Sequence, residues 1–287
     1  MDKVILTTFT DPMMGLSYES EPIFRRLETH FRGQITFRYV MSCLVRDIRD
    51  FMTPDELACN FQEGIRRYNK RLATIYEDEE SLGGMPIRMT DFHLFSETET
   101  SSLPLNLAYK AVQLTMPEKA DLFLYRLRYA TIVEQRPTTE LEEIVETVKS
   151  MAIDVNTFLT HYNDGSVLSA LQHDLQFRNR LGIHSLPAYL LQYQDNALLF
   201  QSFRYDDFAS SIQKVSEGNI RPYPVSPTLD AIRELLSAHP LISPIEVREA
   251  FDLEHIDAVK ELIQPLVENQ EITVYDVPKG WFIRKTI

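Results

Sequence analysis

The chain has 287 residues, of which 44% are hydrophobic and 25% charged, an ordinary globular composition that excludes a disordered or low-complexity polymer. Its formal net charge of −13 excludes a general binder of nucleic acid or of anionic membrane surfaces, because phosphate neutralisation takes clustered Lys and Arg. With only Cys43 and Cys59 present, neither a disulfide framework nor a four-cysteine zinc site can be built.

The first residues, Met1-Asp2-Lys3, lead directly into β-rich sequence without the apolar core of a secretory signal, and no apolar run reaches the roughly 18 residues of a membrane span. A cytoplasmic location is the expectation. Val4-Ile5-Leu6-Thr7-Thr8-Phe9 has the β-branched and aromatic content of a buried strand. It is followed by the loop Asp11-Pro12-Met13-Met14-Gly15-Leu16-Ser17-Tyr18, and then Ile23, Phe24, Leu27 and Phe31 fall at helical spacing over 21–31. Gly33 breaks that helix, and 35–41 alternates as a second strand. A right-handed crossover makes the two strands parallel, so that Asp11 and Cys43 open on one sheet edge.

From about 53 to 182 the pattern is helical. Thr53-Pro54-Asp55-Glu56 is a helix start, with Cys59 expected on that first helix; further helices are predicted over 105–114, 118–134, 140–151, 156–162 and 166–181, with a loop at 81–86. Strands return at 188–193 and 197–201, joined by a turn at Gln194-Asp195-Asn196, and a helix covers 206–215. The proline-rich joint Arg221-Pro222-Tyr223-Pro224-Val225-Ser226-Pro227 marks a boundary. Beyond it come helices over 228–238, 243–251 and 253–269 and strands over 271–277 and 281–286, the order of a winged-helix module. From Pro222 onward six cations face eleven carboxylates, which opposes DNA binding and favours a protein partner or packing on the first domain.

Two motifs give the order β-α-β, helical block, β-β-α its meaning. Gly182-Ile183-His184-Ser185-Leu186-Pro187-Ala188, directly before a strand, resembles the cis-proline loop of thioredoxin-fold proteins, which faces the active-site loop; a trans proline opening an edge strand is the alternative. The 11–18 loop resembles the Asp-Pro-x-Cys-x-x-Cys loop of the FrnE-like branch of the DsbA family, the dithiol-disulfide isomerases. Over about residues 3–215 the resemblance implies an α/β, DsbA-like thioredoxin fold with a large helical insertion, here followed by a small winged-helix-like α+β domain. The expected domains are 1–220, with the insertion at about 53–182, and 221–287.

The same alignment puts Met14 where the nucleophilic cysteine belongs and Ser17 where the resolving cysteine belongs. Disulfide exchange needs a thiolate, which neither a thioether nor an alcohol supplies. Cys43, next to the same sheet edge, is the candidate substitute, against a role as a small buried hydrophobe. Ser17 is the candidate for glutathione-dependent chemistry, since kappa-class glutathione transferases and hydroxychromene-carboxylate isomerases are DsbA-like and use a loop serine. Theirs sits at the first-cysteine position, so helix capping competes for Ser17. His184 can face the cleft or stand exposed, and Asp78-Glu79-Glu80 reads as a solvated charge run. The candidate cleft therefore comprises Asp11, Pro12, Met13, Met14, Gly15, Leu16, Ser17, Tyr18, Ser185, Leu186 and Pro187, with no metal and no cofactor expected except, for the Ser17 chemistry, glutathione. The expected function is binding of a protein, an extended peptide or a small thiol, or an adaptor role as in the related class that delivers a transcription regulator to a protease. The alternative is a residual thiol-disulfide oxidoreductase using Cys43 or a kappa-type glutathione transferase or isomerase using Ser17.

Overall fold

The computed structural model describes residues 2–286. Strands β1 (Val4–Thr10) and β2 (Ile35–Met41) pair in parallel, β1 pairs antiparallel with β3 (Ala188–Tyr193), and β3 with β4 (Asn196–Phe200), giving the order β2-β1-β3-β4. Between β1 and β2 lie α1 (Gly15–Glu19) and α2 (Glu21–His30). The helix expected over 21–31 is α2; α1 is an additional short helix inside the expected loop, kept separate because Pro22 has no N–H to continue a ladder from it.

Helix α2 and α10 (Tyr205–Val215) cover one sheet face, burying Leu6, Phe24, Leu27, Tyr189, Phe208 and Ile212 together. The opposite face carries Phe9, Val40 and Leu190 against α9 (Ser166–Arg180). This is the thioredoxin-type sheet that the β-α-β and β-β-α halves predict, and the helical insertion lies between those halves in the chain. It contains α3 (Pro54–Leu57), α4 (Phe61–Gly83), α5 (Leu103–Thr115), α6 (Ala120–Ile132), α7 (Leu141–Ser150), α8 (Val155–Asn163) and α9.

Two expectations in the insertion are corrected. The Thr53 start is a genuine capping box, yet α3 lasts only four residues; Asn60 then accepts from Glu63 N–H and starts α4 afresh, leaving Cys59 in the bend between them and not on a helix. Helix α4 also runs on through Ser81, Leu82 and Gly83, where a loop was expected, and ends at Gly84 with φ 72°. Gly83 is tolerated inside the helix because α4 touches the backbone at Glu19, and a Cβ there would collide with the Glu19 carbonyl.

The C-terminal segment holds α11 (Leu229–Ala238), β5 (Leu241–Ile242), α12 (Pro244–Ala250), α13 (Ile256–Glu268), β6 (Ile272–Val277) and β7 (Gly280–Lys285), with sheet order β5-β7-β6. The two-residue β5 was not anticipated, being too short to leave a periodic signal. The segment has its own apolar cluster around Ile232, Leu236, Val247, Val259, Ile263 and Trp281. It is also fastened to the rest of the chain: Phe282 is buried in the cluster of α4 with its ring centroid 4.8 Å from that of Tyr129, and Lys279 bonds to Glu80 at 2.6 Å. Among the described residues no helix is long and apolar enough to cross a membrane.

Candidate functional site

The 11–18 loop lies between β1 and α1, and the Leu186–Pro187 peptide is cis. Since Phe9 pairs with Ala188, the next position along each strand brings Thr10 and Pro187 to the same end of the sheet, so the two sequence motifs do converge. Ser185 and His184 lie exposed on this turn, while Pro187 is buried and its carbonyl accepts from Gln201 Nε2 at 2.9 Å.

The loop itself is closed. Met13, Met14, Ser17 and Tyr18 are all buried, Met14 being the most accessible at 6%. Helix α4 and the chain just after it lie directly over them: Tyr76 of α4 donates its hydroxyl to the Met13 carbonyl, and Tyr18 donates to the carbonyl of Pro86, beyond the end of α4, at 2.8 Å. Gly15 lets α4 this close, because a Cβ there would strike Tyr76 and the Glu79 carboxylate. Glu79 is therefore no simple member of a solvated run; burial lifts its pKa to about 7. Helix α1 is only five residues long and its N-cap, Met14, supplies no side-chain cap.

Ser17 is corrected in role. Its Oγ lies 2.7 Å from Thr10 Oγ1, and Thr10 Oγ1 in turn accepts from Arg128 Nη2 at 2.8 Å. It caps no helix, and at 4% exposure it is buried.

Asp11 ties the loop to the segment after β2. One carboxylate oxygen accepts from Met13 N–H at 3.1 Å, and the other from Leu44 N–H at 2.7 Å, Ser102 Oγ at 2.8 Å and Asn106 Nδ2 at 2.8 Å. Burial pushes its pKa up, and these four donors pull it back down without reaching the ordinary value. Cys43 belongs to the same cluster through its own N–H, which donates to Asn106 Oδ1 at 3.1 Å. Its position at φ 45° is fixed by these bonds. Its thiol is buried and pushed up to about 11, first by burial and next by the Asp11 charge, so almost none of it is thiolate at neutral pH. Alkylation by iodoacetamide under native conditions is therefore expected at the half-exposed Cys59 first; peptide mass mapping that found Cys43 modified at an equal rate would contradict the closed site.

Glu19, at the end of α1, carries a testable charge. Burial lifts its pKa to about 8, opposed by the N–H of Met85, which donates to its Oε2 at 3.1 Å, while Oε1 has no partner among the described residues. A folded-state pKa above the ordinary 4.5 means that the folded chain holds this proton more tightly; the stability it contributes is complete below about 4.5 and lost as pH rises through about 8. Glu19→Gln, which is neutral throughout, is expected to exceed the parent in stability on the order of 3 kcal/mol at about pH 9 and to match it at about pH 5. Urea unfolding at the two pH values measures this, and an equal effect at both would remove titration as the cause.

Residues that sequence reasoning missed are Thr10, Tyr76, Glu79, Ser102, Asn106 and Arg128, all brought in by tertiary packing. Among the described residues no group of three or more His, Cys, Asp or Glu is placed to hold a metal.

Comparison with known proteins places this geometry. A family model described as Thioredoxin matches residues 7–201. The curated ClpXP adapter protein SpxH of Shouchella clausii is 23% identical over 282 residues, covering 96% of this chain and 86% of that protein. Among solved structures, a putative protein disulfide isomerase from Nitrosomonas europaea superposes with TM-score 0.57 at 14% identity, covering 75% of this chain and 97% of its own. A probable DsbA oxidoreductase from Streptomyces coelicolor gives 0.56 at 12% identity, covering 78% and 94%.

Proposed function

We propose, because this chain belongs to the thioredoxin family in its DsbA-like form and yet has no cysteine in its 11–18 loop, that it acts by binding as an adaptor that brings a partner protein to a ClpXP-type protease. The observation that carries this reading is the sealed loop. An exchange enzyme must expose a low-pKa thiolate to its substrate. Here the exchange position is a buried methionine under α4, and the nearest thiol in the Asp11 cluster is pushed up to about 11. Chemistry at Ser17 would likewise require a hydroxyl open to the cleft, whereas this one is spent on Thr10.

Similarity to the SpxH adapter runs over 96% of this chain and so includes the C-terminal segment, which supports an activity that uses both parts. With 23% identity the partner does not transfer by name, and the reading is confined to the class of activity. The test is a proteolytically inactive ClpP trap, assembled with ClpX and exposed to cell extract with and without the purified chain. Particular proteins enriched in the trap only when the chain is present are the expected result. A trap whose contents do not change, together with insulin reduction at the rate of a working thioredoxin, would overturn the proposal.

A further inference from the structure

Strand β2 is an edge strand. Its pairing with β1 is marked at the two ends by Val4 N–H donating to Gln34 O and Ser42 N–H to Thr10 O, with Val4 in register with Ile35 and Thr10 with Met41. Peptide groups alternate along a strand, so the N–H groups of residues 36, 38, 40 and 42 face β1 and those of Phe37, Tyr39 and Met41 face outward. The outward direction is confirmed at Met41, whose N–H donates to Asp174 Oδ2 at 2.9 Å. Those of Phe37 and Tyr39 meet no side chain among the described residues.

Unpaired edge groups are usually blunted by a covering element. Here the nearest helices stand off, leaving a cleft of about 400 Å³ whose lining includes Thr7, Arg38, Lys110, Asp121, Asp174 and Phe177. Three of its polar groups are uncommitted. Thr7 is 1% exposed and its Oγ1 has no hydrogen-bond partner among the described residues. Arg38, in register with Thr7 and hence on the same sheet face, forms no ion pair among the described residues. Asp121 receives only the Tyr109 hydroxyl, at 3.2 Å on Oδ1, leaving its other oxygen as an acceptor. Lys110 and Asp174 neutralise each other at 2.9 Å and close the end of the cleft beside Met41.

We infer that this cleft receives an extended peptide segment of the partner protein, added as a fifth strand on β2, with an acidic side chain directed at Arg38. A strand is the ligand whose alternating N–H and C=O groups match those of Phe37 and Tyr39. Arg38 can only donate, which selects a carboxylate on that face; Asp121 accepts an N–H from the segment. A compact anion would satisfy Arg38 and leave the edge groups unpaired. The inference rests on the adaptor reading for the partner alone, since the cleft and its edge groups stand on their own geometry.

The test uses the full chain and a fluorescein-labelled acetyl-Val-Glu-Val-Glu-Val-amide probe, read by anisotropy and by amide exchange at Phe37 and Tyr39. Saturable binding is expected, with slowed exchange at those two amides. N-methylation of one alternate set of probe nitrogens is expected to abolish binding and of the other set to leave it, and Arg38→Glu, a change at an exposed residue, to weaken it at least tenfold. Gln113→Trp, which fills the cleft without touching β2, should block the probe and serves as the second variant, each fold being checked by circular dichroism. Absence of saturation, or binding that ignores both N-methylation sets and leaves the two amides unprotected, overturns the inference. A chain that fills the ClpP trap but not this cleft would keep the adaptor role and lose the site; the reverse result would keep the site and lose the role.

Discussion

Replacing Arg25 by methionine is expected to destabilise the protein by about 3–5 kcal/mol, the cost of leaving buried carboxylates without their cation. Arg25, 3% exposed, is the hub between α2 and the C-terminal segment. Its guanidinium bonds Glu21 at 2.9 Å and Glu28 at 2.7 Å, touches both ring nitrogens of His239, and lies 3.6 Å from Glu246 on α12. Glu246 is raised to about 7 by burial, with Arg25 the largest opposing influence, whereas in Glu28 Arg25 and His239 overcome burial and bring the pKa to about 2.

Removing the cation raises Glu246 further and releases Glu28 from its lowered value, so both carboxyls move up in the folded state. Stability that depends on a raised carboxyl pKa is present below the unfolded value and lost as pH climbs through the folded one. The gap between parent and Arg25→Met should therefore widen from about pH 5 to about pH 8. Thermal unfolding at the two pH values measures it, with a loss of roughly 5–15 °C expected near neutrality. The double variant Arg25→Met with Glu246→Leu should recover part of the loss, because an apolar pair of similar size needs no compensation. A flat pH response, or no recovery in the double variant, would show that the cluster contributes packing and not charge.

The part of the fold legible in the sequence is the part set by short-range interactions. Runs such as 188–193, with their apolar and aromatic character, and turn signals such as Gln194-Asp195-Asn196 act over a few residues, and β3 falls where expected. The opening loop and the Leu186-Pro187 turn were each readable as local motifs, and parallel pairing of β1 with β2 came from chirality. The closure of the loop was not readable. Gly15 and Gly83 look like ordinary glycines, and only the approach of α4 to α1 turns their missing Cβ atoms into a requirement. Glu79 reads as one of four consecutive acids until Gly15 is found beneath it. Likewise Glu246 sits in a local capping box with Ser243, which explains its place in the sequence without revealing Arg25 or Tyr125 as partners.

The second large effect is expected at Asp11, the residue of the opening motif that keeps a function here. Asp11→Ala removes an acceptor from four buried donors, Met13 N–H, Leu44 N–H, Ser102 Oγ and Asn106 Nδ2. Ser102 Oγ keeps the Val45 carbonyl and Asn106 Nδ2 the Ser102 carbonyl, so the two backbone N–H groups are the ones orphaned, and at about 1–3 kcal/mol each the loss should reach about 2–4 kcal/mol. Asp11→Asn should cost less, since it keeps one acceptor oxygen while its amide faces donors. The measurement has a second readout that a simple stability loss would not move: the Asp11 charge is the next cause after burial holding the Cys43 thiol up, so alkylation of Cys43 should quicken in Asp11→Asn under conditions where that variant remains folded. Unchanged Cys43 reactivity with intact folding would disconnect the two groups. Both results together would define Asp11 as the tie that locks the strand-end loop to the residues after β2 and to α5, a structural use of a position that in an exchange enzyme borders the reacting thiol.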